Sequence, residues 1–222
     1  MTFVNSSLLA AGSAANAAVP VPSGGANLTI AAVGLYMESA AVITGIPSGF
    51  TNKVSLQTSA TSRGRLDVFW KRLTGVDSGT YTFSWTGSTF RAAACGLWSG
   101  RKTSGDPFDN FVLGTGSAES TTTVASLNVS ASPVAAGGDA VAFGTNFNGG
   151  GQFNPAPTNY TERQDLAVLG MDTRDNIAAG ATGNVTVAHT VTDFMKAFLG
   201  VLAPAGATVI VPSTRSQYAG FY

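Results

Sequence analysis

The residues able to do chemistry are few, and their spacing limits what they can do. His189 is the one histidine and Cys95 the one cysteine. His189 lies within VTVAHTV (185–191), in register with the valines of an alternating strand, which marks it as a locally hydrogen-bonded core residue rather than a base. No Gly-x-Ser-x-Gly elbow accompanies it, and no Ser or Cys is placed by local motif to serve as its nucleophile. Without a second His or a Cys cluster, a zinc site of the usual ligands cannot be built within one chain. Cys95 sits in the small-residue run 92–96 (AAACG) and reads as a buried small hydrophobe with no internal disulfide partner.

Carboxylates could hold Ca²⁺ or cleave glycosides. Asp172, Asp175 and Asn176 (in MDTRDN) put three oxygen ligands within five residues, yet the EF-hand spacing and its closing Glu are missing. Asp106 and Asp109 read as turn formers. A glycosidase needs two carboxylates across a cleft, and no local motif pairs any of the twelve acids. The glycine-rich stretches 148–151 (NGGG) and 114–116 (GTG) lack the Lys or fingerprint of nucleotide loops. The expectation is therefore a non-enzyme with no catalytic residue, no cofactor and no metal. Trp70, Trp85, Trp98 and Tyr81 could stack sugars, though their strand parity favours core filling. Arg91, Arg101, Lys102 and Arg163 are scattered and suit rim or inter-subunit hydrogen bonds. Five Asn-x-Ser/Thr sequons, at Asn5, Asn27, Asn128, Asn159 and Asn184, match what chance provides in a chain so rich in Ser and Thr.

Composition narrows the partners. Charged residues make up 11% of the 222, against roughly 25% in an ordinary soluble domain. Twelve basic and twelve acidic residues are dispersed singly, so no basic stripe exists to neutralise phosphates and nucleic acid is not an expected partner. The longest apolar run, 197–205, is far short of the roughly 20 residues of a spanning helix, and no membrane partner is expected. No Lys or Arg precedes Leu8 and Leu9, so the cationic start of a secretory signal is missing and synthesis in the cytoplasm is expected.

The elements that must carry these residues are short strands. Residues 79–88 (GTYTFSWTGS) alternate cleanly, with Tyr81, Phe83 and Trp85 on one face. Residues 65–73 (RLDVFWKRL) precede them across a turn-rich connection suited to an antiparallel pair. Further strands are expected at 28–37, 42–46, 54–59, 89–98, 111–113, 121–129, 139–147, 164–171, 185–191 and 194–202. The fold class is all-β, an antiparallel β-sandwich or jelly roll over 28–203. Residues 1–27 are expected as an extended N-terminal arm, with a weak helical signal over 8–18, and 204–222 as a C-terminal tail carrying Tyr218, Phe221 and Tyr222. No internal repeat is evident.

Several segments together resemble tailed-bacteriophage virion proteins with a β-sandwich domain, the head-decoration and minor tail group. They are 42–51 (VITGIPSGFT), 68–88 (VFWKRLTGVDSGTYTFSWTGS), 91–100, 106–108, 138–150 (GDAVAFGTNFNGG), 160–165 (YTERQD) and 182–202. The resemblance spans about residues 28–203 and implies a structural, homo-oligomeric virion component that binds other virion proteins; residues 1–27 and the aromatic tail fall outside it, and both ends are expected to dock onto neighbouring subunits. The alternative reading is a carbohydrate-binding host-adhesion module that uses Trp98 or Tyr160 and the loops near 146–151 to hold a host surface glycan.

Overall fold

A computed structural model of the chain describes residues 3–38, 41–57, 64–87, 90–108, 117–120, 122–131, 135–147 and 150–206. These residues form fifteen strands and no helix. The first eight are β1 (Phe3–Ser13), β2 (Asn16–Pro20), β3 (Ile30–Met37), β4 (Val42–Gly45), β5 (Thr51–Leu56), β6 (Arg65–Arg72), β7 (Thr80–Thr86) and β8 (Phe90–Trp98). The remaining seven are β9 (Ser117–Glu119), β10 (Val124–Val129), β11 (Gly138–Asn146), β12 (Thr161–Leu166), β13 (Leu169–Ile177), β14 (Val185–Asp193) and β15 (Met195–Leu202). Every pairing is antiparallel. Four sheets result, ordered β2-β7-β4, β1-β8-β3-β6-β5, β12-β13-β11-β15-β9 and β10-β14.

The sheets stack as four layers with three apolar seams. Tyr81, Phe83 and Trp85 of β7 bury against Val33, Leu35 and Met37 of β3 in the first seam. The opposite face of β3, with Ile30, Ala32 and Tyr36, meets Val141, Phe143, Met171 and Phe198 in the second. Ala140 and Ala142 of β11 face Val185 and Val187 of β14 in the third. Strands buried on both faces need no polar side, which is why β3 and residues 197–202 of β15 read as continuous apolar runs.

The expectation of no internal repeat is overturned, because the chain uses one strand arrangement twice. In the first unit, strands one, eight, three, six and five form the larger sheet in that order, and strands two, seven and four the smaller. The second unit repeats this as β9-β15-β11-β13-β12 and β10-β14. Its fourth strand is reduced to a single bridge between Phe153 and His189, matching the pairing of Ile43 with Trp85.

The sequences align without a gap where the backbone is most constrained. Residues 43–56 (ITGIPSGFTNKVSL) match 153–166 (FNPAPTNYTERQDL), with Pro, Thr and Leu shared at three positions. The Phe50 amide donates to the Pro47 carbonyl and the Tyr160 amide to the Pro157 carbonyl. Between them Gly49 (φ 83°) and Asn159 (φ 68°) take the left-handed conformation that the turn requires. The β-bulge that follows skips Lys53 in one unit and Arg163 in the other. Likewise 78–86 (SGTYTFSWT) matches 182–190 (TGNVTVAHT), and 90–98 (FRAAACGLW) matches 194–202 (FMKAFLGVL).

The units pack face to face about an approximate two-fold axis. β1 lies over β12 and β9 over β5; β8 lies over β13 and β15 over β6; β3 lies over β13 and β11 over β6. Each contact has its counterpart on exchanging the units, the signature of a self-complementary interface. The bulge cations follow the same rule. The Arg163 guanidinium sits 4.1 Å from the ring centre of Phe3, and Lys53 Nζ lies 5.3 Å from that of Phe108. Phe3 is paired with Trp98 and Phe108 with Leu202, which occupy matching positions.

Three further expectations are corrected. The 65–73 and 79–88 strands do not pair: β6 joins β3 and β5, whereas the connection after Leu73 carries β7 into the neighbouring sheet beside β2 and β4. Residues 164–171 are a tight hairpin turning at Ala167–Val168, not one strand. Residues 3–27, the described part of the expected extended arm, belong to the sandwich and hold no helix. β1 is an edge strand on β8, and β2 buries Ala17 and Val19 in the first seam. An edge strand shows only one weakly apolar side, so its pattern resembles a linker. The expected strand at 111–113 and residues 207–222 of the expected tail lie outside the described residues.

Candidate functional site

The two units differ at the open end of their smaller sheets. In the first unit, Lys71 of β6 donates to Asp77 Oδ2 at 2.6 Å, and the Tyr81 hydroxyl donates to the same oxygen at 3.0 Å. Lys71 Nζ also lies 5.9 Å from the Phe50 ring centre and 5.6 Å from that of Tyr81. A carboxylate, a cation and two aromatic rings thus close this end. Burial, followed by the charge of Cys95 and the bond to Asp77, pushes the Tyr81 hydroxyl well above the ordinary phenol range.

Register identifies the counterparts in the second unit. Lys71 pairs with Ala31 and Arg174 with Ala140, which are matched positions, so Arg174 replaces Lys71. Tyr160 replaces Phe50, and Val185 replaces Tyr81. The connections 73–79 (LTGVDSG) and 177–183 (IAAGATG) have equal length, which sets Ala181 where Asp77 stands. The smaller side chains leave a cavity of about 490 Å³ lined by Tyr160, Arg174, Thr182, Asn184, Val185 and Thr186, among others. The Tyr160 hydroxyl is buried and makes no hydrogen bond, and burial raises it to about 12. Arg174 enters no ion pair among the described residues. Burial, followed by the charges of Glu162 and Asp165, raises the Asp172 carboxyl to about 7.

A second cavity, of about 530 Å³, lies where the units join and is lined by Gly100, Arg101, Gly137, Asp139 and Asn176, among others. Arg101 (3% exposed side chain) and Asp139 (1%) form an ion pair of 3.3 Å across the join. Arg101 also donates to the carbonyls of Ser99 and Gly137, and the Asn176 amide donates to Asp139 Oδ1 at 3.0 Å. Each member has a structural partner, so the pair ties the units together.

The residues singled out by type are dispersed. His189 is buried in the place of Trp85. It accepts from the Val191 amide at Nδ1, its Nε2 contacts the Ala167 carbonyl at 3.1 Å, and its ring meets Phe153 edge-on at 4.9 Å. Cys95 is fully buried, and desolvation pushes its thiol far up. Asp172 and Asp175 feel different groups, the former Glu162 and Asp165, the latter Arg101 and Asp139. No cluster of three or more acids, histidines or cysteines suited to a metal occurs among the described residues. Asp106 receives Lys53 at 2.6 Å and the Phe108 amide at 2.9 Å; Asp109 lies outside the described residues.

The aromatics form no sugar platform: Trp85 and Tyr81 fill the first seam, Arg72 covers Trp70, and Trp98, named as a sugar contact in the alternative reading, is fully buried between the units. Tyr160, also considered for sugar contact, lines the cavity of the second unit. Its neighbour Arg174 went unrecognised in the sequence; the match of YTERQDL to FTNKVSL signals Tyr160, whereas Arg174 is matched to Lys71 only by strand register. Compared with protein-family models, curated proteins and solved structures, the chain matches none.

Proposed function

We propose that the chain is a non-enzymatic structural component of a phage virion, a capsid-decoration or minor tail protein that binds neighbouring subunits. The observation that carries this reading is the nested strand order. In each unit strand one pairs with eight, two with seven and three with six. That nesting resembles a jelly-roll plan whose fifth strand has moved to the larger sheet, and jelly rolls recur in viral shells and in lectins. A shared strand plan supports this role by analogy of fold. The low charge and the hydroxyl-rich outer face of β7 (Thr80, Thr82, Thr86) suit broad contacts repeated over a lattice.

The test is to tag the chain in a cell that produces it and to purify particles on a density gradient. The proposal expects the chain in the particle band at fixed copy number per particle; its absence from that band refutes the virion role. A second reading, a carbohydrate-binding adhesion module, is favoured by the polar cavity at Tyr160 and Arg174, whose volume suits a monosaccharide.

A further inference from the structure

We infer that the cavity of the second unit binds a carboxylate group, held where the first unit holds its own Asp77. The inference deepens the adhesion reading by naming the ligand chemistry, and it requires no role in a virion. At matched positions the first unit presents a cation and aromatic rings, and an Asp carboxylate satisfies them with bonds of 2.6 and 3.0 Å. The second unit keeps the cation as Arg174 and gains a hydroxyl as Phe50 gives way to Tyr160. It loses the acid, with Ala181 for Asp77, and the bulk, with Val185 for Tyr81.

The result is a guanidinium without an ion-pair partner among the described residues, beside a buried hydroxyl without a hydrogen-bond partner. A buried hydroxyl left unmade is costly, and a guanidinium fork matches a carboxylate with two parallel bonds. Thr182, Asn184 and Thr186 on the walls offer further hydrogen bonds to a small polar ligand. The Asp172 carboxyl acts on Tyr160 electrostatically, and it makes no ion pair with Arg174. The shared chemistry is a free carboxylate, which a sugar acid or an acidic amino acid could bring.

Titration of the full chain with four probes, followed by calorimetry and by amide NMR shifts, tests this. The probes are N-acetylneuraminate, glucuronate, N-acetylaspartate and, as the neutral control, N-acetylglucosamine. At least one acid should bind saturably, shifting the amides of Tyr160, Arg174 and Thr186, and the neutral sugar should not. A response to the sugar acids only assigns the source to glycan, and a response confined to N-acetylaspartate assigns it to peptide. Arg174→Gln should weaken binding about tenfold or more, as expected for loss of a charge-assisted contact. Ala181→Asp should abolish binding by restoring the internal acid while leaving the fold intact, so a failure of Arg174→Gln to fold does not remove the test. No saturable binding of any acid at millimolar concentration overturns the inference, as does equal binding of the neutral sugar or binding unchanged in Ala181→Asp. The virion reading is decided separately by the particle band.

Discussion

Gly34 and Phe143 occupy the same position of the two units and touch each other. Gly34 pairs with Ala94 and Phe143 with Phe198, themselves matched, and a Cβ on Gly34 would lie 2.4 Å from Phe143 Cδ1. A position that meets its own counterpart marks where a two-fold axis passes. There an aromatic ring in one unit demands an empty place in the other, so two identical copies could not both carry Phe.

Gly34→Ala should therefore cost about 1–3 kcal/mol by overpacking, and Phe143→Ala about 3–5 kcal/mol by cavity formation. Exchanging the pair, Gly34→Phe with Phe143→Gly, should recover a large part of the loss shown by Gly34→Phe alone. Urea unfolding of the single and double variants measures this, and strict additivity would refute the paired fit.

Leu28 (φ 66°, 41% exposed) sits in the left-handed region at the position where the second unit has Gly137 (φ 86°). Their amides donate to the matched carbonyls of Leu73 and Ile177. Leu28→Gly should raise stability by about 0.5–1 kcal/mol, since relief of left-handed strain outweighs the added unfolded-state entropy. The converse, Gly137→Ala, should lose about 1–2 kcal/mol, because its Cβ meets nothing closer than Asn176 Oδ1 at 3.8 Å and only backbone strain opposes it. Thermal melts of both variants decide the matter.

Removing one member of the buried Arg101–Asp139 pair should cost about 3–5 kcal/mol, since the other charge is left desolvated. Arg101→Met combined with Asp139→Leu should cost markedly less than either truncation. A double-mutant cycle in guanidinium chloride reads the coupling.

Asp172 gives the stability a pH dependence of definite sign. Burial, then Glu162 and Asp165, raises its carboxyl from 3.8 to about 7, so the folded chain holds this proton more tightly than the unfolded chain. Its contribution is full below about pH 4, falls as pH rises toward 7 and is flat beyond. Asp172→Asn should be neutral at pH 4 and stabilising by about 2 kcal/mol at pH 8, with partial exposure allowed for. Equal stability of the two proteins at pH 8 would refute this assignment.

The all-β class and most strand positions were legible, because Gly, Pro, Asn and Asp punctuate alternating runs such as TYTFSWT. The sheet in which each strand lies was not. The seven residues 73–79 contain the turn formers of a hairpin, and only long-range pairing shows that they change layers. The repeat was obscured by the demands of the axis, where Gly must oppose Phe, and by the exchange of Tyr81 for Val185 and Trp85 for His189. The candidate site was half visible: Tyr160 stood out as an aromatic, but Arg174 acquired meaning only from the register that matches it to Lys71.

The self-complementary face between the units lies within one polypeptide. Separate sandwiches joined through such a face would come apart as they became scarce. Here the Lys102 amide bonds the Ala203 carbonyl, and the short stretch leading to Phe108 tethers one sandwich to the other. A short tether fixes the local abundance of the partner on the order of millimolar, whatever the amount synthesised. Dilution cannot undo the pairing, so the assembled form is available from the first copy made.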